Sequence, residues 1–253
     1  TFSSYGLLLD YIGHKTGRQT EFIQRKTYQE ISELLGKGGI DIAFICSGPY
    51  ARGKERYGFE LLAVPQVQGR CDYHSYLIVK DRAFRRLEDL KGRVFAFTDP
   101  ESNTGRLVPA YWLALLGERP ESFFGKILYT YSHDNSIQAV ARGLVDGAAV
   151  DGLVWEYYGN RNPAFTAPTL VIRQSESYPI PPVVASRELG KQERDRVRQA
   201  LLTMHLEPEG RMILDQLRVD RFVLPQEDWH GNMARIEKML ALVEEKDRGM
   251  EKP

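Results

Sequence analysis

The chain has 253 residues, enough for two small lobes with separate cores or for one large domain. Hydrophobic residues make up 42% and charged residues 27%, which is typical of a folded globular protein and excludes disorder over most of the chain. The 34 basic residues balance the 34 acidic ones, so no net field attracts nucleic acid or anionic lipid at long range. Any preference for anions must therefore arise locally.

Membrane and cofactor signals are weak in this sequence. No apolar run approaches the roughly 20 residues that cross a bilayer, and no signal-peptide pattern opens the chain, so it is interpreted as soluble as given. The start at Thr1 without Met is typical of a mature or trimmed protein, so a missing export signal excludes nothing. Cys46 and Cys71 lack zinc, haem or redox spacing, and no metal or other cofactor is expected. Whether they form a disulfide stays open.

Helical and strand patterns alternate along the chain, which predicts an α/β protein with parallel sheets covered on both faces. Apolar spacing near the start predicts two helices that end near Gly13 and Gly36. Residues 21–24 between them are predicted to form a short strand.

A compact apolar run at 40–45 predicts a central strand. The segment 46–50 is predicted to be a loop at the carboxyl end of that strand. Loops at this end of open α/β sheets collect ligands, so Ser47 and Tyr50 are candidate ligand contacts.

A β-rich stretch at 73–79, followed by a densely charged one, indicates a crossing into a second lobe. The elements predicted in that lobe form a βαβαβ unit with a further strand before the return crossing. They are strands at 94–97, 127–131, 147–150 and 170–173, and helices at 107–116 and 137–144. The chain returns at the Pro-rich segment 178–182, and helices at 197–217 and 229–243 are expected to pack onto the first lobe.

The predicted organisation is therefore two lobes, each a mainly parallel sheet flanked by helices. The first lobe comprises residues 1–77 and 179–253, and the second, residues 78–178, is inserted in it. Two connections between lobes form a two-strand hinge.

The sharpest local signal is the sequence Thr-Asp-Pro-Glu-Ser-Asn-Thr-Gly at 98–105, between a predicted strand and a predicted helix. A helix N-terminus presents unpaired N–H groups and about half a positive charge, so it binds oxyanions without a lysine. Ser102, Asn103 and Thr104 add side-chain donors, and Gly105 permits close backbone approach. The competing interpretation is a plain N-cap. The motif is neither a Walker A nor a dinucleotide loop, so nucleotide chemistry is not predicted.

Two further candidates flank this segment in the sequence. His133 again lies between a strand and a helix and can donate to an anion, or it is only a cap or surface group. On the strand at 73–76, Tyr73 and Ser75 share one face while His74 and Tyr76 share the other, so only one pair can face a ligand. Tyr73 is the candidate, with core packing as the alternative.

The order of these motifs resembles the phosphate/phosphite/phosphonate-binding family of ABC-transporter substrate-binding proteins. The resemblance covers most of the chain and is strongest from Asp99 to Asp151, with Asp-Pro-x-Ser-x-Thr-Gly, then Ser-His-Asp at 132–134 and Gly-x-Val-Asp at 143–146. It implies a two-lobed, periplasmic-binding-protein-like fold of type II. It also implies a monomeric, non-enzymatic protein that closes its lobes around a small phosphorus oxyanion and delivers it to an ABC-transporter permease. The location implied is periplasmic or otherwise extracytoplasmic, with a membrane anchor in the full-length protein left open.

The resemblance also implies roles for individual residues. Residues 102–104 would hold the phosphorus–oxygen group, and His133 would add a donor. Tyr50 and Tyr73 would close from across the cleft. Asp151 would accept a proton from a P–OH group, or it is a solvated carboxylate at a strand end.

Two departures from the family pattern bear on the ligand. Asn103 stands where many relatives carry a small hydroxyl residue, which leaves the identity of the oxyanion open. Leu153 and the segment 179–182 are apolar where aminophosphonate binders place acidic groups, so a cationic ligand is disfavoured.

Two other classes of function remain as alternatives. A sensor domain of a membrane histidine kinase would fit if the charged helix at 235–252 continued into a membrane helix in a longer chain. An enzyme would require Ser102, His133 and Asp151 to act as a nucleophilic triad, but the sequence has no Gly-x-Ser-x-Gly elbow.

Overall fold

The structure is a computed structural model that describes residues 2–248. Its α-helices are α1 (Phe2–Thr16), α2 (Tyr28–Gly36), α3 (Ser47–Tyr57), α4 (Val108–Leu115), α5 (Pro120–Phe123), α6 (His133–Ala141), α7 (Gly152–Arg161), α8 (Pro163–Thr166), α9 (Lys191–Thr203), α10 (Pro208–Leu217) and α11 (Glu227–Arg248). Of the predicted C-terminal helix at 235–252, residues 249–252 lie outside the described range.

The strands are short and distributed over the whole chain. They are β1 (Ile42–Phe44), β2 (Glu60–Gln66), β3 (Asp72–Tyr73), β4 (Ser75–Val79), β5 (Val94–Phe97), β6 (Lys126–Tyr129), β7 (Gly147–Asp151), β8 (Leu170–Gln174), β9 (Tyr178–Pro179), β10 (Val183–Ala185) and β11 (Arg221–Val223). The predicted α/β class is confirmed.

The chain divides into two compact units. The first runs to Asp72 and resumes as Pro179–Gly231, while the second comprises Tyr73–Tyr178 and resumes at Asn232. The chain passes from one unit to the other within β3 and back within β9, and these two strands pair with each other.

The first unit is built on a four-stranded sheet with the strand order β1, β10, β2, β11. Helices α1, α9 and α10 supply apolar side chains to its core, among them Leu8, Leu201 and Ile213, which pack with Leu62 and Phe222 of the sheet. Burying each such side chain contributes roughly 1.5–3 kcal/mol relative to leaving it exposed.

The second unit contains a five-stranded sheet with the order β6, β5, β7, β4, β8. Strand β5 is parallel to both β6 and β7, as the predicted βαβαβ pattern requires, and α6 covers this part of the sheet with Ile137 and Val140. Because parallel neighbours end at the same edge, the segments after β5 and β7 begin close together.

The expectation of mainly parallel sheets is wrong for the rest of the structure. In the first unit β10 is antiparallel to β1 and β2, and β11 is antiparallel to β2. In the second unit β4 is antiparallel to β7 and β8. A crossover within one sheet forces parallel pairing, whereas strands reached by a passage between units are free to pair in the opposite sense.

Two local predictions in the first unit are also wrong. Residues 21–24 form no strand and are mostly exposed. Residues 46–50 do not form a loop, because α3 begins at Ser47 directly after its N-cap residue Cys46. The sequence interpretation also missed β2, β10 and β11, whose pairing partners lie far away along the chain.

The predicted lobe boundaries differ from the observed units in two segments. Residues 73–77 lie in the second unit because β4 pairs there on both of its edges. Residues 232–248 also belong to that unit, where Arg235 donates a hydrogen bond of 3.3 Å to the carbonyl of Ser177.

The state of the two cysteines and the question of a membrane-spanning helix can be compared with the structure. Cys46 and Cys71 do not form a disulfide, and both are partly exposed. Within residues 2–248, none of the helices has the length and apolar character needed to cross a membrane.

Candidate ligand-binding site

The segment after β5 forms a π-helical turn, Asn103–Leu107, that leads into α4. Ser102 is its N-cap, and the Ser102 hydroxyl oxygen accepts a hydrogen bond of 3.0 Å from the N–H of Gly105. The N–H of Leu107 donates to the Ser102 carbonyl at 2.9 Å. The N-cap interpretation of Ser102 is therefore correct, and it does not exclude a role in binding, because the hydroxyl hydrogen remains available to another acceptor.

Gly105 is required by the packing of this turn. A methyl group at its position would overlap with Oγ1 of Thr98 and would lie 2.6 Å from the Thr98 Cβ. The backbones also bond directly, since the Thr98 N–H donates to the Gly105 carbonyl at 3.2 Å. The close approach predicted from the sequence is thus an approach to the end of β5.

Asn103 and Thr104 present buried polar groups that lack protein partners. Both residues are fully buried. Within the described part of the chain, the Asn103 Oδ1 and Thr104 Oγ1 atoms have no hydrogen-bond partner. The N–H groups of these residues lie in the first helical turn, where no acceptor exists within the helix. Buried polar groups without partners are costly, so their clustering here indicates a place built for a polar ligand.

Residues of β3 and β4 support the turn from the side. Asn103 Nδ2 donates to the hydroxyl of Tyr73 at 3.2 Å, and the Ser75 hydroxyl donates to the carbonyl of Thr104 at 2.7 Å. Tyr73 and Ser75 therefore face the turn. On the opposite face, the Tyr76 hydroxyl donates to Glu156 at 2.5 Å.

His133 is the first residue of α6, after the N-cap Ser132. Its Nδ1 atom accepts a hydrogen bond of 3.0 Å from the N–H of Asp151, and the Thr98 hydroxyl lies 3.2 Å from the same nitrogen. Burial lowers the pKa of His133 to about 4, although the nearby Asp134 carboxylate acts in the opposite direction. The imidazole is therefore neutral near pH 7.

The residue before that cap, Tyr131, has a left-handed backbone with φ of 60°. Such a conformation is unusual for a side chain other than glycine, asparagine or aspartate. The Tyr131 N–H donates to the Thr98 carbonyl at 2.7 Å, which ties the start of α6 to the end of β5. This strained residue fixes the direction in which the chain enters His133.

Asp151 ends β7 and caps α7. Its Oδ1 accepts hydrogen bonds of 2.8 Å from the N–H of Leu153 and 3.4 Å from that of Val154. Burial raises the pKa of Asp151 to about 7, against the lowering effect of those two bonds. The interpretation of a solvated strand-end carboxylate is wrong, since Asp151 is only 9% exposed.

The second unit thus brings together Tyr73, the turn at 102–104, His133 and Asp151. The prediction that Tyr73 approaches from the other lobe is wrong, because Tyr73 lies in the same unit as the turn and bonds to Asn103. Two supporting contacts were missed by sequence reasoning, namely the bond of Ser75 to the turn and the contact of Thr98 with His133. The signals for both were present, because Ser75 alternates with Tyr73 on one strand face and Thr98 directly follows β5.

The remaining candidates, Ser47 and Tyr50, lie in the first turn of α3 in the first unit. Ser47 is fully buried, and its hydroxyl donates to the carbonyl of Pro179 at 2.6 Å. The Tyr50 ring packs edge-on against Trp229, with 5.6 Å between ring centroids.

Comparison with known sequences places the chain in a family. A sequence profile described as "ABC transporter, phosphonate, periplasmic substrate-binding protein" matches residues 1–230. A probable ABC-transporter phosphite-binding protein of Prochlorococcus marinus (strain MIT 9301) is 28% identical over 160 residues, 61% of this chain and 54% of that protein. A phosphate-import protein of Mycolicibacterium smegmatis is 28% identical over 167 residues, 60% of this chain and 51% of that protein. The chain spans about half the length of these curated relatives.

Solved structures are similar over nearly the whole chain. A binding-protein component of an ABC phosphonate transporter from Pseudomonas aeruginosa has a TM-score of 0.88 at 25% identity, covering 97% of this chain and 82% of that one. A Prochlorococcus marinus protein in complex with methylphosphonate has a TM-score of 0.83 at 20% identity, covering 95% and 93%. These similarities confirm the predicted two-lobed periplasmic-binding-protein fold. By the profile match over residues 1–230, the chain belongs to the family of periplasmic substrate-binding proteins of ABC phosphonate transporters.

Proposed function

We propose that this chain captures a small phosphorus oxyanion, namely phosphite, phosphate or an alkylphosphonate, in an extracytoplasmic compartment for an ABC transporter. The observation that carries the proposal is the fully buried first turn at 103–104, where Asn103 Oδ1 and Thr104 Oγ1 have no hydrogen-bond partner within residues 2–248. A tetrahedral oxyanion supplies several acceptors at once, which satisfies such a cluster better than a single water molecule does.

The turn can offer donors from both backbone and side chains. The N–H groups of Asn103 and Thr104, the Ser102 and Thr104 hydroxyls and the positive end of the helix dipole all favour an anion. Rotation of the Asn103 amide by 180° would let its oxygen accept from the Tyr73 hydroxyl and turn its NH₂ group toward the ligand. The cluster then becomes a set of donors without any lysine or arginine.

His133 and Asp151 would set the balance of protons around the ligand. The neutral imidazole offers one N–H donor. With a pKa of about 7, Asp151 is present in both protonation states near neutral pH. Its ionised form would accept a hydrogen bond from a P–OH group, and its protonated form would donate to a fully ionised oxygen.

Closure of the two units about the strands β3 and β9 would complete capture. In the closed state Tyr50 would contribute from the first unit, as the family resemblance implies. Exclusion of water strengthens hydrogen bonds to charged oxygens, so the ligand stabilises the closed state through its higher affinity for it. The closed state is then what a transporter permease recognises.

The contacts of the site favour binding over catalysis. Ser102 Oγ accepts from Gly105, His133 Nδ1 accepts from Asp151 N–H, and Asp151 Oδ1 caps α7. A nucleophilic triad instead joins the three side chains to one another in series. We therefore infer no role for the three as nucleophile, base and orienting acid.

The names of related proteins support a phosphorus ligand. One relative is described as a phosphite-binding protein, another as a phosphate importer, and one solved structure contains methylphosphonate. Leu153 and the apolar segment 179–182 favour ligands without an ammonium group. We therefore expect an aminoalkylphosphonate to bind more weakly than its uncharged alkyl analogue.

A thermal-shift and calorimetry panel tests the proposal. Phosphite, phosphate, methylphosphonate, 2-aminoethylphosphonate and sulfate would be compared on the purified chain. A ligand at about 100 times its Kd stabilises the native state by about 2.7 kcal/mol, which raises the melting temperature measurably. Absence of binding by all of the phosphorus anions would contradict the proposal.

Matched cap variants locate the site within the chain. Ser102→Ala removes an N-cap, which costs about 1 kcal/mol, and it should also reduce the ligand-induced shift. Thr27→Ala removes the N-cap of α2 in the first unit and should lower stability by a similar amount while leaving the ligand-induced shift unchanged. Equal ligand-induced shifts in both variants would place the ligand elsewhere.

A further inference from the structure

The surroundings of His133 Nδ1 determine which ring nitrogen carries the proton. The backbone N–H of Asp151 is a donor that has no acceptor function, and it points at Nδ1 across 3.0 Å. A neutral imidazole has one N–H and one acceptor nitrogen. If Nδ1 carried the proton, two N–H groups would face each other in a partly buried place, so Nδ1 must be the acceptor.

We propose that the Asp151 N–H and the Thr98 hydroxyl together hold His133 in the Nε2–H tautomer, which makes Thr98 a positioning residue of the ligand site. Thr98 Oγ1 lies 3.2 Å from Nδ1, a distance at which its hydroxyl donates to the ring. Two donors on one nitrogen fix both the tautomer and the orientation of the imidazole.

Thr98 is itself held firmly enough to have this role. It is fully buried, its N–H donates to the Gly105 carbonyl at 3.2 Å, and its own carbonyl accepts from Tyr131 at 2.7 Å. Its side chain fills the space left by the missing Cβ of Gly105. One residue thereby connects the turn at 103–107 with the start of α6.

The consequence for binding is that His133 presents a single, neutral donor at Nε2. The low pKa that burial gives His133 is consistent with this state at neutral pH. The attraction of the site for an anion then comes from N–H groups and hydroxyls, without a histidine cation. This role in binding rests on the proposed function, but the tautomer does not depend on any ligand.

Nitrogen NMR of ¹⁵N-histidine-labelled protein measures the tautomer in the ligand-free chain. The sequence has five histidines, and the signals missing from a His133→Gln sample identify the right ring. We expect a protonated Nε2 and an unprotonated Nδ1 at pH 7. A protonated Nδ1, an averaged mixture of both tautomers or an imidazolium would overturn the proposal, whatever the ligand is.

Two substitutions of His133 test which nitrogen serves the ligand. The amide of Gln reaches the place of Nε2, whereas the amide of Asn reaches only the place of Nδ1. Titrated with methylphosphonate and phosphite, His133→Gln should bind more tightly than His133→Asn, by about fivefold or more, as expected for one hydrogen bond to a charged group. Equal affinities, or the reverse order, would contradict an Nε2 donor.

Two substitutions at position 98 test whether the Thr98 hydroxyl is needed. Thr98→Val removes the hydroxyl and should weaken methylphosphonate binding by about three- to tenfold while changing the nitrogen shift of His133 Nδ1. Thr98→Ser keeps the hydroxyl and should restore both readouts. A Val variant with the wild-type Nδ1 shift and affinity would reduce Thr98 to a packing role. If the Val variant does not fold, Thr98→Ala removes the same hydroxyl without the branched side chain, and the same two readouts on it decide the role of Thr98.

If no oxyanion binds but the tautomer is as expected, the proposed function fails while the structural inference stands. If oxyanions bind but Nδ1 is protonated, the inference fails while the proposed function stands. The two outcomes are therefore distinguishable by combining calorimetry with the ligand-free NMR spectrum.

Discussion

Two helix starts that follow strands, one in each unit, treat their polar groups differently. At the start of α3, the Ser47 hydroxyl is satisfied by the Pro179 carbonyl, and Tyr50 packs on Trp229. At the turn before α4, the buried atoms Asn103 Oδ1 and Thr104 Oγ1 have no hydrogen-bond partner in the part of the chain that the structure describes. The position of a helix start does not by itself make a binding site. The difference is whether folding leaves buried polar groups unpaired, since such groups gain most from an incoming oxyanion once they are oriented to donate to it.

The largest effect on this comparison is expected from Gly105→Ala. The new methyl group of alanine would overlap with the Thr98 side chain, so the turn before α4 must shift or adopt a strained backbone. Overpacking of this kind lowers the free energy of unfolding by about 1–3 kcal/mol, and we expect oxyanion affinity to fall with it. Urea unfolding and calorimetry measure the two quantities.

Gly231→Ala is the matched control for that substitution. Gly231 lies within α11, and a Cβ there would meet no atom within 4 Å. Alanine in a helix interior stabilises by about 0.5–1 kcal/mol relative to glycine, so this variant should be more stable than the wild type. Two variants of equal stability would mean that the turn tolerates a side chain and is less rigid than its contacts imply.

The same turn shows what could be predicted from the sequence. Strand β5 at 94–97 and the helix start after it were predicted because their signals are local, namely an apolar run followed by polar capping residues and a glycine. The candidates Ser102, Asn103 and Thr104 were found for the same reason. Local chemistry at a strand–turn–helix junction is sufficient for that inference.

The contacts between distant segments could not be predicted. Strand β2 pairs with β10 and β11, which lie more than 100 residues later in the chain, and its pattern alone does not reveal them. The contact of Thr98 with His133 depends on the parallel neighbours β6 and β7 on either side of β5. Such information resides in sheet order, which propensities and periodicity do not encode.

Stability should also depend on pH, because the buried Asp151 and the half-buried His133 both lie in the same unit as this turn. The folded-state pKa of Asp151 is raised from 3.8 to about 7. The folded protein therefore holds a proton that the unfolded chain loses, and stability falls as pH rises from about 4 to 7, by at most about 1.4 kcal/mol per pH unit. Asp151→Asn should remove this decline in urea-unfolding measurements, and an unchanged slope would contradict a buried, protonatable Asp151.

The titration of His133 changes stability with pH in the opposite direction. Its folded-state pKa is lowered from 6.5 to about 4, so its contribution to stability is present above pH 6.5 and is lost as pH falls toward 4. In the wild type the two effects partly cancel over this range. His133→Gln should therefore expose a steeper decline with rising pH than the wild type shows. A flatter curve in this variant would mean that His133 is not a buried neutral imidazole.

Substitutions that remove a single hydroxyl separate the two helix starts most directly, and Thr104→Val among them should change stability least. Thr104→Val removes a buried hydroxyl without a protein partner, so the free energy of unfolding should stay within about 0.5 kcal/mol of the wild type or rise. Its affinity for phosphite or methylphosphonate should fall about tenfold, as expected for a lost hydrogen bond to a charged oxygen. Ser47→Ala leaves the Pro179 carbonyl without its bond and should lower the free energy of unfolding by about 1–3 kcal/mol, with a smaller change in affinity than Thr104→Val. If Thr104→Val were instead the destabilised variant with full affinity, the unpaired hydroxyl would serve folding, and the contrast between the two helix starts would disappear.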